Sequence, residues 1–174
     1  MRAPIAAATL ALLHARAPLR YGGVACSAAA DGAPYGQIDQ QVRVAVGAAL
    51  AEGKRKLSVE AFDAVDADPA SGLVPAAVAM ACARTLTSAA DGPIHVLLPD
   101  LAAVGEATDA ANNWAEEERE RLRIDTLAHR GEPDEEAVGS VVLCSGDGPH
   151  AAAWLRRARV AVCVNTDARR LPSL

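Results

Sequence analysis

Apolar residues repeat along the chain with two different periods, and each period predicts its own type of element. Intervals of four from Ile38 to Leu50 predict a helix that begins at Gln37 and ends at Gly53. Short runs that alternate, or that are wholly apolar, predict strands. The predicted strands are Leu57–Phe62, Ile94–Leu98, Leu122–Leu127, Ser140–Cys144 and Arg159–Asn165, and the other predicted helices are Leu73–Ala89, Leu101 to about Glu120, and Ala151–Arg157.

The order of these elements predicts the fold class. Strands that alternate with helices favour a parallel sheet with helices on both faces. Ile94–Leu98 is apolar on both of its alternating faces, so we expect it to be a central strand. The sequence therefore predicts a single α/β domain over residues 37–165, followed by a short tail over residues 166–174. Its expected form is an open, mostly parallel sheet of about five strands in a Rossmann-like three-layer arrangement.

Composition narrows the possible classes of site. Aromatic residues make up 3% of the chain, so the core depends on closely packed Ala, Val and Leu. The net charge of −5 argues against a nucleic-acid partner, because such proteins normally carry a basic face. The cysteines form no C-x-x-C pair and no zinc-ligand spacing, so we expect buried thiols and no metal site. These residues are Cys26, Cys82, Cys144 and Cys163.

The first 30 residues differ in character from the rest of the chain. They contain no acidic residue, are rich in alanine and carry Arg2, Arg16 and Arg20, a composition typical of an organelle transit peptide. Val24–Ala28 resembles a plastid processing site. The apolar run Ile5–Leu13 could instead be the core of a secretory signal or of a bipartite leader. It is too short to span a bilayer, and no transmembrane segment is predicted. Residues 1–30 are therefore interpreted as a plastid leader or as a disordered N-terminus.

Three polar residues follow predicted strands: Asp100, Ser145 and Asn165. Ligands of open α/β sheets bind at the carboxyl ends of the strands, so these positions are the candidates for binding a small molecule. Each also has a structural interpretation. Asp100 is expected to cap the next helix, and the Ser-Gly-Asp-Gly turn at Ser145 lacks the spacing and the lysine of a phosphate-binding loop. His95 is expected to be a core histidine with its hydrogen bonds satisfied. No histidine is paired with a nucleophile in the sequence, so neither a catalytic residue nor a cofactor is predicted.

Two further features are candidates for contact with a partner. Trp114 and Trp154 are either interface anchors or core residues, and no sequence pattern decides between the two. The basic run of Lys54, Arg55 and Lys56 could contact anionic lipid headgroups or an acidic partner. Three charges are few, and a junction between a helix and a strand is exposed in any case, so the sequence favours simple solvation of this run.

Three segments, taken together, resemble one protein family. Ala45–Phe62 is similar to the family's opening helix, glycine, basic residue and strand. Val96–Trp114 is similar to its strand, Pro-Asp, small-residue helix and tryptophan, and Ser140–Asn165 to its later strand–helix–strand. The family is a plant, algal and cyanobacterial domain of unknown function. It includes the chloroplast proteins named for low photosystem II accumulation and extensions of some plastid adenylate kinases. The chain departs from the family at two places. Ser145-Gly146 follows the strand that ends at Cys144, where the family commonly has a proline, and Thr166 follows Asn165, where the family usually has a proline.

The resemblance implies a non-catalytic plastid protein with no cofactor and no catalytic residues to carry over. Its expected role is that of a photosystem assembly factor, or of an accessory or peripheral photosystem subunit, in the stroma or at the stromal face of the thylakoid. The alternative is an enzyme domain that binds a small molecule or nucleotide at Asp100, Ser145 and Asn165. A stromal α/β domain of unrelated role is a third interpretation. A convergent polar pocket at the strand ends would favour the enzyme over the interaction protein.

Overall fold

A computed structural model describes residues 22–28, 35–63, 73–134, 138–144 and 149–165, and within them strands and helices alternate. The strands are β1 Gly22–Ala28, β2 Lys56–Asp63, β3 Ile94–Leu98, β4 Leu122–Thr126, β5 Ser140–Cys144 and β6 Val160–Val164. The helices are α1 Tyr35–Ala51, α2 Leu73–Ala89, α3 Leu101–Ala111, α4 Glu116–Arg121, α5 Leu127–Arg130 and α6 Pro149–Arg157.

All of these strands belong to one parallel sheet in the order β1-β2-β6-β5-β3-β4. The expected α/β class is therefore confirmed, with six strands in place of about five. The additional strand is β1, which pairs with β2 from Gly22 opposite Leu57 to Ala28 opposite Asp63. The domain thus begins upstream of residue 37, and the interpretation of residues 1–30 as a leader overlaps a strand of the sheet. Residues 1–21 and the tail 166–174 lie outside the described residues.

The centre of the sheet is formed by the three strands with the most continuous apolar sequence. Every residue of β3, β5 and β6 is buried. β3 pairs with β5 on one side and with β4 on the other, which confirms the expected internal position of Ile94–Leu98. Strands buried on both faces need cover on both faces, and the helices provide it.

Helices cover the two faces of the sheet unequally. On the first face, α1, α2 and α3 pack against alternate residues of the strands, among them Val59, Val96, Val142 and Val162. On the second face, Trp154 and Leu155 of α6 pack against Leu97, Val141, Leu143 and Cys163. The expected three-layer arrangement is confirmed, because each apolar face of the sheet has its own helical layer.

The order of the strands defines where a crevice opens. The chain moves across the sheet from β1 to β2, β3 and β4 and then returns through β5 to β6. β3 leads into α3 on the first face, whereas its neighbour β5 leads into α6 on the second face. Connections that diverge from adjacent parallel strands leave a crevice at the carboxyl ends of those strands.

The third helix is shorter than the sequence predicts. In place of one helix from Leu101 to about Glu120, α3 ends at Ala111 and α4 begins at Glu116. Asn112 and Asn113 favour the end of a helix, and the buried Trp114 requires the chain to turn inward. The new helix start is stabilised because the Glu118 carboxylate accepts a hydrogen bond from the backbone N–H of Ala115 at 3.3 Å.

A basic side chain holds the end of α2. Arg121 Nη1 donates to the carbonyl of Thr87 at 2.7 Å, and Nε donates to the carbonyl of Gly92 at 3.0 Å. Arg121 Nη2 donates to the carbonyl of Ala90. Thr87 lies in the last turn of α2, where a carbonyl has no partner within the helix, and Ala90 and Gly92 belong to the turn that follows. A cation also interacts favourably with the helix dipole there.

Arg121→Met should lower the free energy of unfolding by roughly 1–3 kcal/mol, because it leaves the carbonyls of Thr87, Ala90 and Gly92 without this donor while nearly keeping the length of the side chain. Arg119→Met is the matched control, since Arg119 is exposed in the same helix, and it should change stability by less than about 0.5 kcal/mol. Urea denaturation of both variants measures the difference. Equal stability of the two variants would contradict this role of Arg121.

The central strands also depend on a close backbone approach at Gly139. A side chain at this position would overlap the carbonyl oxygen of Pro93, which accepts the N–H of Ser140 at 3.0 Å. Gly139→Ala should therefore destabilise the domain by roughly 1–3 kcal/mol. Gly105→Ala in α3 meets open space and should stabilise it by roughly 0.5–1 kcal/mol. Thermal unfolding of the two variants should give shifts of opposite sign; shifts of the same sign would refute the clash.

Candidate functional site

The carboxyl edge of the sheet carries the residues that the sequence offers for ligand binding. Asp100 follows β3 and is exposed, and its Oδ1 accepts the backbone N–H of Ala103 at 2.8 Å. It is the N-cap of α3, so the expected capping role is confirmed. Ser145, which follows β5, lies outside the described residues.

Asn165 follows β6 at the same edge. Its backbone N–H donates to the carbonyl of Val59 at 2.9 Å, which continues the pairing between β6 and β2. Its φ of 50° is in the left-handed region, where asparagine is favoured over most residues. β5 separates β6 from β3, so Asn165 and Asp100 follow strands that lie two strand spacings, about 10 Å, apart. Both residues therefore lie at the carboxyl edge of the sheet.

Both tryptophans belong to the core. Trp154 is 1% exposed, and its Nε1 donates to the carbonyl of Gly131 at 2.8 Å. Trp114 is 9% exposed and packs in the first-face core, with the Arg84 guanidinium 5.4 Å from its ring centre. The interpretation of Trp114 as an exposed interface anchor is therefore wrong, because its ring is already covered by this chain.

The basic run divides into structural and surface residues. Lys56 is half-buried, and its Nζ donates to the carbonyl of Ala158 at 2.9 Å and to that of Leu155, at the end of α6. Burial lowers the pKa of Lys56 from its ordinary value. Lys54 and Arg55 are exposed, and only these two remain as candidates for contact with a partner.

Three of the cysteines are buried thiols, as expected: Cys82, Cys144 and Cys163. Burial raises the pKa of Cys163 to about 12, partly offset by the nearby charge of Lys56. Burial also raises the pKa of Cys144. Both thiols are therefore protonated at neutral pH and are poor nucleophiles. The side chain of Cys26 lies outside the described residues.

His95 departs from the expectation of a fully satisfied core histidine. It is 9% exposed and lies against Trp154, with the ring centres 4.8 Å apart. Its Nδ1 has no hydrogen-bond partner among the described residues. Burial, and then the charges of Arg130 and Arg123, lower the pKa of His95, and Asp134 partly opposes them. The surroundings of His95 therefore disfavour protonation of the imidazole, and the neutral form of the ring is favoured.

An open groove of about 580 Å³ lies between α1 and α2. Val44 projects there and is 67% exposed, which is unusual for a large apolar side chain in this domain. The spacing of the valines in the sequence indicates this exposure, because Val44 lies on the opposite side of α1 from the buried Val42 and Val46. The groove is lined by Asp39, Gln40, Arg43, Val44, Arg84, Thr85 and Ser88.

The groove has charged rims. Arg43 Nη1 lies 3.5 Å from Asp39 Oδ2 on α1, and the Arg84 guanidinium lies over the ring of Trp114. Gly47 of α1 faces Thr85 of α2, and a Cβ at this glycine would make an ordinary contact of 3.8 Å with the Thr85 methyl group. An exposed aliphatic side chain between polar rims on rigid helices is suited to contact with another protein.

Comparison with protein-family models, with curated proteins and with solved structures finds no match to this chain. The fold itself defines the class: a three-layer α/β domain with a parallel sheet. Among the residues with described positions, no cluster of three or more His, Cys, Asp or Glu side chains is arranged to hold a metal ion. None of the helices described is both long enough and apolar enough to cross a membrane.

The stability of the domain should fall as the pH drops from about 6.5 towards 5. The pKa of His95 in the folded state is below its ordinary value of 6.5, so in this range the unfolded chain takes up a proton that the folded chain resists. Above about 6.5 both states are neutral at this position, and the contribution is fully present. Urea denaturation at several pH values measures the slope.

His95→Phe keeps a ring against Trp154 and should flatten this pH dependence. His150→Gln is the control, because His150 is exposed at the start of α6, and it should retain the slope. A His95→Phe variant with the wild-type pH dependence would show that another group is responsible.

Proposed function

We propose that this domain is a non-catalytic plastid protein that acts by protein–protein contact, as a photosystem assembly factor or as an accessory subunit. The observation that carries the proposal is the groove between α1 and α2, where Val44 is exposed between polar rims. Aliphatic side chains exposed at such a place lose water when a partner covers them, which favours association.

The other candidate residues have structural roles, which is consistent with a domain that acts through its surface. The Asp100 carboxylate caps α3, the Lys56 amine holds the end of α6, and Trp114 fills the core. Each of these side chains serves the fold, and a rigid fold presents its surface without a large entropic cost on binding. In this proposal the role of the core is to hold α1 and α2 in place, and these two helices supply the contact surface.

The proposed plastid location and the proposed photosystem partner are supported by the sequence alone. They come from the acid-free, arginine-bearing composition of residues 1–21, the part of the predicted leader that precedes β1, and from the resemblance of Ala45–Phe62, Val96–Trp114 and Ser140–Asn165 to the chloroplast family. The proposed location is the stroma or the stromal face of the thylakoid.

An enzyme domain that binds a small molecule or nucleotide is the second candidate function. The observation in its favour is the divergence of the connections after β3 and β5, since ligands of open α/β sheets bind at such a point. In this alternative Asp100 and Asn165, at the carboxyl edge of the sheet, would contact the ligand together with Ser145, which lies outside the described residues.

Val44→Asp should reduce capture of photosystem subunits from detergent-solubilised thylakoids by about tenfold or more, because it places a charge in the contact. Leu101→Asp is the matched control. Leu101 is 76% exposed on α3, and an aspartate is tolerated at a helix start, so capture should be unchanged. Affinity purification followed by identification of the bound subunits measures both.

Two outcomes would contradict the proposal. One is equal capture by Val44→Asp and the wild-type protein. The other is turnover of a nucleotide by the purified domain, which would favour the enzyme alternative.

A further inference from the structure

β4 forms one edge of the sheet, and within the described ranges no strand lies on its outer side. It pairs with β3 in parallel, from Leu122 opposite Ile94 to Thr126 opposite Leu98. Backbone groups that are unpaired at the edge of a sheet can pair with a strand of another chain. The positions of the free groups along β4 therefore decide which strand can be added and in which register.

The direction of the backbone groups of β4 follows from the pairing of β3. Successive residues of a strand direct their N–H and C=O groups to opposite sides. The carbonyl of Pro93 accepts the N–H of Ser140 on β5 at 3.0 Å, so the next residue, Ile94, faces β4. In a parallel pair only one of two opposite residues directs its groups towards the other strand. Because Ile94 lies opposite Leu122, the groups of Leu122 and Ile124 face the free side.

Two local contacts agree with this direction and close the ends of the edge. The N–H of Leu122 donates to the carbonyl of Arg119, and the N–H of Thr126 donates to Asp125 Oδ1 at 2.7 Å. Ile124 lies midway between them, and no hydrogen bond to its outward N–H or C=O is present in the described part of the chain. The open backbone groups of this edge are thus centred on one residue.

The side chains beside Ile124 carry opposite charges. The side chain of Ile124 packs against the first-face core, so those of Arg123 and Asp125 lie on the second face. Arg123 Nη1 donates to the carbonyl of Leu122 at 2.7 Å, and the Asp125 carboxylate accepts the N–H of Thr126. Both of these backbone groups face the free side of β4. Both charges are therefore held at the open edge of the sheet.

We propose that β4 pairs with β4 of a second copy of this chain, antiparallel and centred on Ile124. A two-fold axis at this residue allows each Ile124 to donate its N–H to the C=O of the other, which is one hydrogen-bonded antiparallel pair. The same axis places Arg123 of each copy opposite Asp125 of the other. These are non-hydrogen-bonded pairs, in which opposite side chains lie closest together.

The charge pattern of β4 selects this arrangement over the alternatives. A parallel pairing would place Arg123 opposite Arg123 and Asp125 opposite Asp125, and like charges directly opposite each other are unfavourable. A shift of register by two residues would move the open groups of Ile124 opposite Leu122 or Thr126, whose N–H groups are already bonded. A strand of another protein has no such match built in, so the second copy is the occupant that this edge fits.

The other charged groups near β4 do not oppose the contact. Arg130 Nη2 lies 3.7 Å from Asp134 Oδ2, so these two charges offset each other. His129 Nδ1 lies 2.9 Å from Asp125 Oδ2 and shares that carboxylate. Glu120 is exposed just before the strand. The two-fold axis places the Glu120 side chains of the two copies at opposite ends of the paired strands, where they are screened from each other.

The test is sedimentation equilibrium of the full chain at physiological ionic strength. The contact is short, so the expected dimer is weak and should form between about 10 μM and about 1 mM. Arg123→Asp and Asp125→Arg each place like charges opposite each other in a dimer of identical chains. An equimolar mixture of these two variants restores opposite charges at both positions. The controls are Arg156→Asp and Asp109→Arg, which change exposed residues away from β4 by the same charge.

Each β4 variant alone should lower the association constant by about tenfold or more, and the controls should stay within about twofold of wild type. The mixture should dimerise within about threefold of wild type, a recovery that damage to the fold would not produce. Circular dichroism establishes that the variants are folded. The comparison of Arg123→Asp with Arg156→Asp decides the question even where Asp125→Arg does not fold.

The contact at β4 shares no residue with the groove between α1 and α2, so Val44→Asp should dimerise like wild type whatever it does to capture of photosystem subunits. Four results would overturn the proposal. They are a wild-type chain that stays monomeric over the whole range, a dimer unaffected by Arg123→Asp, equal weakening by Arg156→Asp, and a mixture that dimerises no better than its components. Loss of the dimer in Val44→Asp would also overturn it, because the groove would then be the contact.

Discussion

A parallel sheet imposes one constraint on which the rest of this domain depends: the connecting helices end at the amino edge, where their last carbonyl groups need donors. Basic side chains at the starts of strands supply them. Arg121, directly before β4, holds the end of α2, and Lys56, the first residue of β2, holds the end of α6. Each contact fixes a helix to a strand that is distant in the sequence. The same contacts place a positive charge where the negative ends of the helix dipoles meet.

This constraint also explains how charge is distributed over a chain that is acidic overall. Cations lie at the amino edge because the ends of the helices favour positive charge, and several of them donate hydrogen bonds to backbone carbonyl groups. The remaining arginines, such as Arg156 and Arg159, are exposed beside these structural cations. The same type of residue therefore stabilises the fold at one position and is exposed to solvent at the next.

Elements with a strong local signal could be predicted from the sequence, and contacts between distant segments could not. The sequence predicts α2 with its observed bounds, and it predicts β3, β5 and β6 because these strands are apolar except at His95 and Ser140. β1 was missed because its small residues, GGVACSA, give no alternation and follow an acid-free segment. Asp100 could be predicted as a cap because capping spans three residues, whereas the role of Lys56 depends on β2 lying beside β6. Burial of Trp114 is likewise a tertiary property, so no local pattern distinguished it from an exposed anchor.

The proposed contact surface between α1 and α2 is small and apolar at its centre, and that character determines what it would contribute to a complex. In the proposed function Val44 would act only after water has been excluded, so it would govern how long the complex lasts more than how fast it forms. A domain with few exposed apolar side chains among its described residues would then depend on this one contact, because association is driven by the few side chains that are fully desolvated.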